Sequence, residues 1–245
     1  MTPAPLQTHF NSSRLMHVLA DLEGVSTAAV GSGFAEKLGL WVSFTDAIAL
    51  SAVHSAAQPI LPQARVTTQA TRLAQDLAHT RSGLEALITG RGTLPAGKAA
   101  IKLPHVVADD TLPGASAYEP YRRYYTAHQR EMESSLGPLR AKVRGELSRS
   151  TPALQQLAAM DATLENILSE RESRVLAKVA SLMQRRFMHL LRTHSAPPDA
   201  DPKQDPWLVR FGLELQNVLL AELELRLQPT LGLLEAYQHE NHASL

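Results

Sequence analysis

Cysteine is absent from the 245-residue chain, which excludes disulfides, thiolate catalysis and cysteine-based zinc sites. Aromatic residues make up only 5% of the sequence, so a folded core must consist mainly of Leu, Ala, Val and Ile, which favours packed helices. There is no run of about 18 apolar residues, so we expect no membrane insertion. The segment before Arg14 has neither Lys, Arg nor an apolar stretch, so we expect no secretory signal and a cytoplasmic location.

Neither sign of charge dominates, because 24 Lys and Arg balance 24 Asp and Glu. The distribution is nevertheless uneven. Residues 118–192 contain 13 basic and 8 acidic side chains, whereas residues 193–245 contain 3 and 8. Opposite signs within one chain predict that one segment docks on the other, and the alternative is a basic patch for nucleic acid.

Proline and glycine are also missing from Ala153 to Arg192, where apolar residues recur at helical spacing. Heptads fail along this stretch, but steps of eleven connect Leu157, Leu168, Val179 and Leu190. An eleven-residue step is close to the period of a straight helix. We therefore predict a helix of about 40 residues, capped by Ser150 or Thr151, in a bundle or an antiparallel hairpin. At Arg171 and Glu172 either local ion pairs form or the helix leaves its packing partner.

Shorter helical patterns precede this long helix. We predict helices from a cap at Asn11–Ser13 to about Leu22, from Phe34 to about Ala57, from Thr67 to Thr89, from Glu119 onward, and from Leu136 to about Leu147. In the second of these, the spacing predicts a buried face made of Phe34, Leu38, Trp41, Phe44 and Ile48. The Gly- and Pro-rich residues 90–114 predict a long loop.

A final helix is predicted from Pro206, after the Pro- and Asp-rich linker Ser195–Pro206, with a kink at Pro229. It is apolar nearly all round, so it is either the central helix of the bundle or meets another subunit. Its predicted contact surface consists of Phe211, Leu215, Val218, Leu219 and Leu223. The whole pattern predicts an all-α helical bundle, with an N-terminal region (residues 1–110) and a C-terminal region (residues 118–245) that are separate or form one continuous domain.

No motif points strongly to chemistry. Gly92–Ala99 matches most of a P-loop, but Ala99 has no hydroxyl for magnesium and no strand is predicted before it. A C-terminal cluster of His239, Glu240 and His242 lacks metal-site spacing, and His128 with Glu131 fits a surface pair. We therefore expect no catalytic residue, cofactor or metal, no enzymatic activity, and no deep pocket with titratable groups in mutual contact.

Tyrosine and arginine alternate between Tyr118 and Tyr125, as they do in some nucleic-acid-binding proteins. On a helix the tyrosines share one face and the arginines the other, which favours a packing face with a solvated back. The alternative function is nucleic-acid binding through a basic helical face made of Arg122, Arg123, Lys142, Arg144, Arg185 and Arg186.

Several stretches together resemble a family of proteobacterial proteins classed as a domain of unknown function. They are FNSSRL (Phe10–Leu15) with LADL (Leu19–Leu22), FAEKLGLWVSFTDAIALS (Phe34–Ser51), and the segment from LSRSTPALQQLAAMDATLENIL to MQRRF, which ends at Phe187. The resemblance implies no activity, cofactor or catalytic residue. It implies an accessory role beside an envelope complex, because such genes neighbour those of envelope proteins similar to proton-channel motor subunits and OmpA-like proteins. The predicted function is thus a non-enzymatic interaction or scaffold protein that contacts a protein partner or a second copy of itself through helix faces.

Overall fold

The computed structural model describes residues 13–23, 41–56, 66–92, 97, 99–104, 114–193 and 206–243, and in these ranges all regular structure is helical. The helices are α1 (Arg14–Glu23), α2 (Phe44–Ser55), α3 (Val66–Thr89), α4 (Gly114–Leu147), α5 (Pro152–Thr193) and α6 (Pro206–Ala243). The predicted all-α bundle, its long helix and its C-terminal helix are confirmed. The 195–205 part of the predicted linker lies outside the described residues.

The four longest helices alternate in direction. One apolar cluster joins the C-terminal ends of α3 and α5 to the N-terminal halves of α4 and α6, and a second cluster joins their opposite ends. Helix α6 contacts α1, α3, α4 and α5, so it is the central helix, which was one of the two alternatives that its apolar circumference left open. The N-terminal helices pack on the C-terminal ones, and the division at residues 110–118 stays a prediction.

Aromatic side chains concentrate in the first cluster, although the chain has few of them. The rings of Tyr121, Phe187 and Phe211 lie with centroids 5.2–5.4 Å apart in tilted and edge-to-face arrangements. Trp207 meets Phe187 at 5.3 Å. Such pairs add about 0.5–1.5 kcal/mol each beyond the burial of their apolar area. This cluster therefore fixes α4, α5 and α6 to one another at the first residues of α6.

Helix α4 differs from the prediction of two separate elements. It begins at Gly114, not at Glu119, and continues through Pro120 and Pro138 to Leu147. A proline in a helix interior removes a hydrogen bond and costs about 3 kcal/mol. Leu136 and Leu139, on either side of Pro138, are both buried. Packing of these side chains offsets that cost and keeps the helix continuous.

Helix α5 is buried at its two ends but not in its middle. Its buried positions stop at Asp161 and resume at Leu176, so the helix leaves its bundle partners there, as one of the two alternatives for Arg171 predicted. Helix α2 packs against α5, with the end of α2 at Gln156. At about 1.5 Å per residue the 42 residues of α5 span about 63 Å.

Helix α2 is shorter than predicted, and the side of it that was predicted to be buried is exposed. It begins at Phe44, because Ser43 ends the preceding segment as an N-cap. The predicted buried face is wrong in its described part, since Trp41, Phe44 and Ile48 are all exposed. Phe34 and Leu38 lie outside the described residues.

Candidate protein-contact surface

A reciprocal cap fixes the start of α2. The backbone N–H of Asp46 donates to the Ser43 hydroxyl at 3.2 Å, and the backbone N–H of Ser43 donates to the Asp46 carboxylate at 2.8 Å. These two bonds satisfy donors that a helix N-terminus leaves unpaired. The bond from Ser43 is also the main reason why the pKa of Asp46 lies below its ordinary value. The short helix is therefore well formed at the end that carries its large apolar side chains.

One narrow stripe of α2 faces α5. Asp46, Leu50 and Val53 are its half-buried positions, and they recur at helical spacing. Val42, just before the helix, is half-buried as well. At the C-terminal end of the helix, the side-chain amide of Gln156 on α5 donates to the backbone carbonyl of His54. Since only this stripe is covered, the remaining circumference of α2 meets solvent.

The opposite side of α2 is uncharged and includes two large apolar side chains. Phe44 is 83% exposed and Ile48 54%, and Ser51, Ala52 and Ser55 continue the same face toward the helix end. We call these five residues the outward face of α2. Trp41, which lies before the helix, is 38% exposed. Contiguous exposed apolar patches are uncommon on monomeric proteins and often mark contact sites, so this face is a candidate contact surface.

Other exposed large apolar residues are more scattered. In the part of the chain that the structure describes they are Met16 on α1, Val175 on α5, and Val209 and Leu213 on α6. Val209 and Leu213 lie one turn apart on the outer side of α6, where exposed Arg210 stands beside them. Phe44 on α2 is the most exposed large apolar residue in the described part of the chain, and the pair on α6 offers a comparison.

The five residues predicted to form a contact surface on the final helix are not exposed. Phe211, Leu215, Val218, Leu219 and Leu223 are all buried within the first apolar cluster of the same chain. Their burial follows from the central position of α6, which packs against four other helices. A partner could reach these side chains only if α6 left the bundle.

A buried carboxylate links α6 to α4. Glu222 is fully buried and accepts hydrogen bonds from the Tyr125 hydroxyl, from the Gln129 amide at 3.0 and 3.1 Å, and from the Arg226 guanidinium at 2.8 Å. Burial raises the pKa of Tyr125 well above its ordinary value, and the Glu222 carboxylate raises it further. Tyr125 therefore stays a donor. No local pattern indicates this network, because its partners on α4 are 93 and 97 positions from Glu222.

The predicted basic face is largely occupied by carboxylates. Glu119 accepts from Arg122 at 2.7 Å and from Arg123 at 3.1 Å, and Asp76 accepts from Lys142 at 2.5 Å. At roughly 1.5 Å per residue, Arg122 and Lys142 lie about 30 Å apart along α4. The first of these ion pairs lowers the pKa of Glu119 to about 2.

The remaining predicted basic residues are Arg144, Arg185 and Arg186. Arg144 contacts Glu165 at 2.6 Å, and Arg186 contacts Glu214 at 2.7 Å, whereas Arg185 is exposed on α5. The bond between Arg186 and Glu214 joins the basic segment to the acidic one, as the charge distribution predicted.

A cleft of about 400 Å³ opens where the middle of α5 leaves the bundle. Its apolar floor includes Met132 and Leu136, and its walls include Arg140 and Asp161. Arg140 contacts Asp161 at 2.6 Å, so titratable groups do meet in a cleft, contrary to our expectation. Their hydrogen bonds join α4 to α5.

His128 is buried rather than paired on the surface. Its ring lies edge-on to Tyr124, with centroids 4.5 Å apart, and its Nε2 has no hydrogen-bond partner. Burial lowers the pKa of His128 to about 4, while the charge of Glu131 acts in the opposite direction. The imidazole is thus neutral at physiological pH.

The other sequence motifs add no site in the described residues. There, no group of three or more His, Asp or Glu side chains is arranged to hold a metal ion. Residues 93–96 and Lys98 of the P-loop-like segment, and the side chain of His242, lie outside the described part. Among the helices described, none combines the length and hydropathy that crossing a membrane requires.

Comparison with known proteins gives one match. A family model described as "Protein of unknown function (DUF3348)" matches residues 1–239. No curated protein and no solved structure matches the chain.

Proposed function

The chain belongs to this family of unknown function, and from that premise we propose that it is a non-enzymatic helical interaction or scaffold protein that binds protein through the outward face of α2. The observation that carries the proposal is the exposure of Phe44 and Ile48 on a face without charged side chains. Full burial of such a side chain contributes about 1.5–3 kcal/mol. Covering both would supply a substantial part of the free energy of a protein complex.

The outward face of α2 is also held ready for contact. The cap formed by Ser43 and Asp46 fixes the first turn, and the contact between Gln156 and the His54 carbonyl holds the last turn on α5. A surface that is already ordered loses less conformational entropy on binding. We therefore propose α2 as the contact surface, in place of the final helix that the sequence predicted.

A scaffold without catalysis agrees with the chemistry of the cleft. Asp161 accepts from two arginines, Arg140 and Arg144, at 2.6–3.1 Å. These hydrogen bonds join α4 to α5, which is a structural role for the carboxylate. Because Arg122, Arg123, Lys142, Arg144 and Arg186 have carboxylate partners in the chain, we propose no second function. A cytoplasmic location, a proteobacterial origin and a role beside an envelope complex stay predictions.

Co-purification from native cells tests the proposal. The variant Phe44→Ser/Ile48→Ser removes the exposed large apolar groups of α2, and Val209→Ser/Leu213→Ser removes an exposed pair on α6. Phe44 and Ile48 are 83% and 54% exposed, and Val209 and Leu213 are 52% and 56% exposed. We expect proteins that co-purify with the unmodified chain to be lost with the first variant and retained with the second. All four positions are exposed, so circular dichroism should show an unchanged helical content.

A second measurement does not depend on substitutions of the apolar groups. A photo-crosslinking amino acid at Ala47, beside the outward face, should give protein adducts. The same group at Ser134, an exposed position on α4, should not. Equal adduct yields at the two positions, together with an unchanged co-purification pattern, would contradict the proposal.

A further inference from the structure

We propose that the partner of the outward face of α2 is the same face of a second copy of this chain, with the two helices antiparallel about a two-fold axis. This inference rests on the proposed function, because it names the occupant of the same surface. It is carried by the order of large and small residues along α2.

Large and small side chains divide the outward face into two halves. Phe44 and Ile48 occupy the N-terminal half, and Ser51 and Ser55 occupy the C-terminal half. All four lie on one side of the helix, because they are separated by three or four residues. The face therefore has a projecting half and a recessed half of similar length.

An antiparallel pair brings these halves together. When the two-fold axis passes between Ile48 and Ser51, Ile48 of each copy lies opposite Ser51 of the other, and Phe44 lies opposite Ser55. Each large side chain then meets a small one, which is the self-complementarity that a two-fold interface requires. In a parallel pair, Phe44 would meet Phe44 and the serines would face each other across a gap.

Electrostatics also permit a second copy. The outward face has no charged side chain, since Asp46 belongs to the stripe that faces α5. The chain has a formal net charge of zero, so two copies approach without long-range repulsion. A strongly charged partner would find no complementary charge on this face.

The size of the surface predicts a weak dimer. Twelve residues of α2 extend about 18 Å, so the paired helices bury less area than the standard interface of about 1,600 Å². We expect a dissociation constant of about 1–100 µM. The measured mass should therefore rise with concentration from one chain toward two.

Light scattering and sedimentation of the purified full chain test the association. The mass of the unmodified protein should approach that of two chains at about 500 µM, well above the expected dissociation constant. Phe44→Ser/Ile48→Ser should weaken association at least tenfold, because it removes every large apolar side chain from the paired faces, roughly as loss of hot-spot residues does. Val209→Ser/Leu213→Ser should leave it unchanged. A single-chain mass for the unmodified protein at that concentration overturns the proposal.

Single cysteines test the geometry, because the natural chain has none. Along the helix axes, positions 51 of the two copies are about 4.5 Å apart and positions 55 about 16 Å apart. Facing Cα atoms of helices whose axes are about 8–10 Å apart are separated by about 3–5 Å across the pair, so only positions 51 fall within the distance of about 7 Å that a disulfide requires. Ser51→Cys should therefore give a disulfide-linked dimer under mild oxidation, and Ser55→Cys, which is also exposed, should not.

The outcomes separate this inference from the proposed function. Equal crosslinking at positions 51 and 55 overturns the antiparallel arrangement. A monomeric chain whose co-purifying proteins still depend on Phe44 and Ile48 overturns self-association and leaves the proposed function standing. If instead the chain is monomeric and the thiol of the Ser51→Cys variant is inaccessible to a thiol reagent, its own residues cover the face, and both proposals fail.

Discussion

The hydroxyl of Tyr125 on α4 donates a hydrogen bond to the carboxylate of Glu222 on α6, and both side chains are fully buried. Glu222 also accepts from Gln129 and Arg226, so its charge is compensated inside the core. A buried ionised group is stable only when such partners satisfy it. The network therefore ties the central helix to α4 in one register.

Tyr125→Phe removes one donor to this carboxylate. We expect it to lower the free energy of unfolding by about 1.5–3 kcal/mol, as for hydrogen bonds to charged groups. Tyr124→Phe is the matched control, because the Tyr124 hydroxyl donates to the neutral carbonyl of Ile88 at 3.0 Å; its expected cost is about 0.5–1.5 kcal/mol. Urea denaturation measures both, and an equal cost for the two variants would show that the Glu222 charge adds nothing.

His128 makes the fold sensitive to acid. Its pKa is about 4 in the folded chain, against about 6.5 in an unfolded one. The unfolded chain therefore binds the proton more readily, and the stability that neutral His128 provides is lost as the pH falls from about 6.5 to 4.

Replacing His128 should remove this contribution. Between pH 7 and pH 4.5, we expect His128→Leu to lose about 2.5 kcal/mol less stability than the unmodified chain. Met132→Leu, a volume-conserving change one turn along the same buried face, should leave the pH dependence as it is. Urea unfolding at both pH values measures these stabilities. Equal losses of stability in the His128 variant and the unmodified chain would contradict the prediction.

The carboxylates of Asp161 and Asp76 allow a buried ion pair to be compared with a surface ion pair. The Asp161 side chain is 11% exposed and contacts Arg140, whereas the Asp76 side chain is 43% exposed and contacts Lys142. We expect Asp161→Ala to destabilise the protein by about 2–4 kcal/mol, because it leaves Arg140 with less compensation. Asp76→Ala should cost under about 1 kcal/mol. Thermal unfolding in low and high salt checks both values, and a larger cost at Asp76 would contradict this ranking.

Local patterns predicted those helices whose signals lie within the helix itself. The extent of α3 followed from its spacing and from Gly90, which ends it with a φ of 66°. The start of α5 followed from Thr151 and Pro152, and its backbone does begin there. Such caps and breakers act over a few residues, so a single sequence contains enough to find them.

Tertiary packing determines the features that local sequence patterns left open or predicted wrongly. Pro138 predicted a break in α4, but buried leucines on either side hold the helix together. In α2, Phe44 and Ile48 indicate one packed face and Val42, Leu50 and Val53 another, and the spacing of residues cannot rank them. Only the position of α5 determines which side is covered. The Ser43–Asp46 box was visible in the sequence and would have placed the start of α2 correctly.

Substitution by alanine should stabilise the protein at Gly232 of α6 but not at Gly212. A Cβ at Gly232 meets no atom within 4 Å, whereas a Cβ at Gly212 would lie 2.8 Å from Leu103 Cδ2. Both positions are helical, so alanine gains about 0.5–1 kcal/mol in helix stability at either one. We expect Gly232→Ala to raise the free energy of unfolding by about that amount, and Gly212→Ala to lose the gain because Leu103 must move. Combining Gly212→Ala with Leu103→Ala should relieve the clash and give a coupling of at least about 0.5 kcal/mol in a double-mutant cycle. Additive effects of these two substitutions in urea denaturation would show that Leu103 does not pack against α6 at this point.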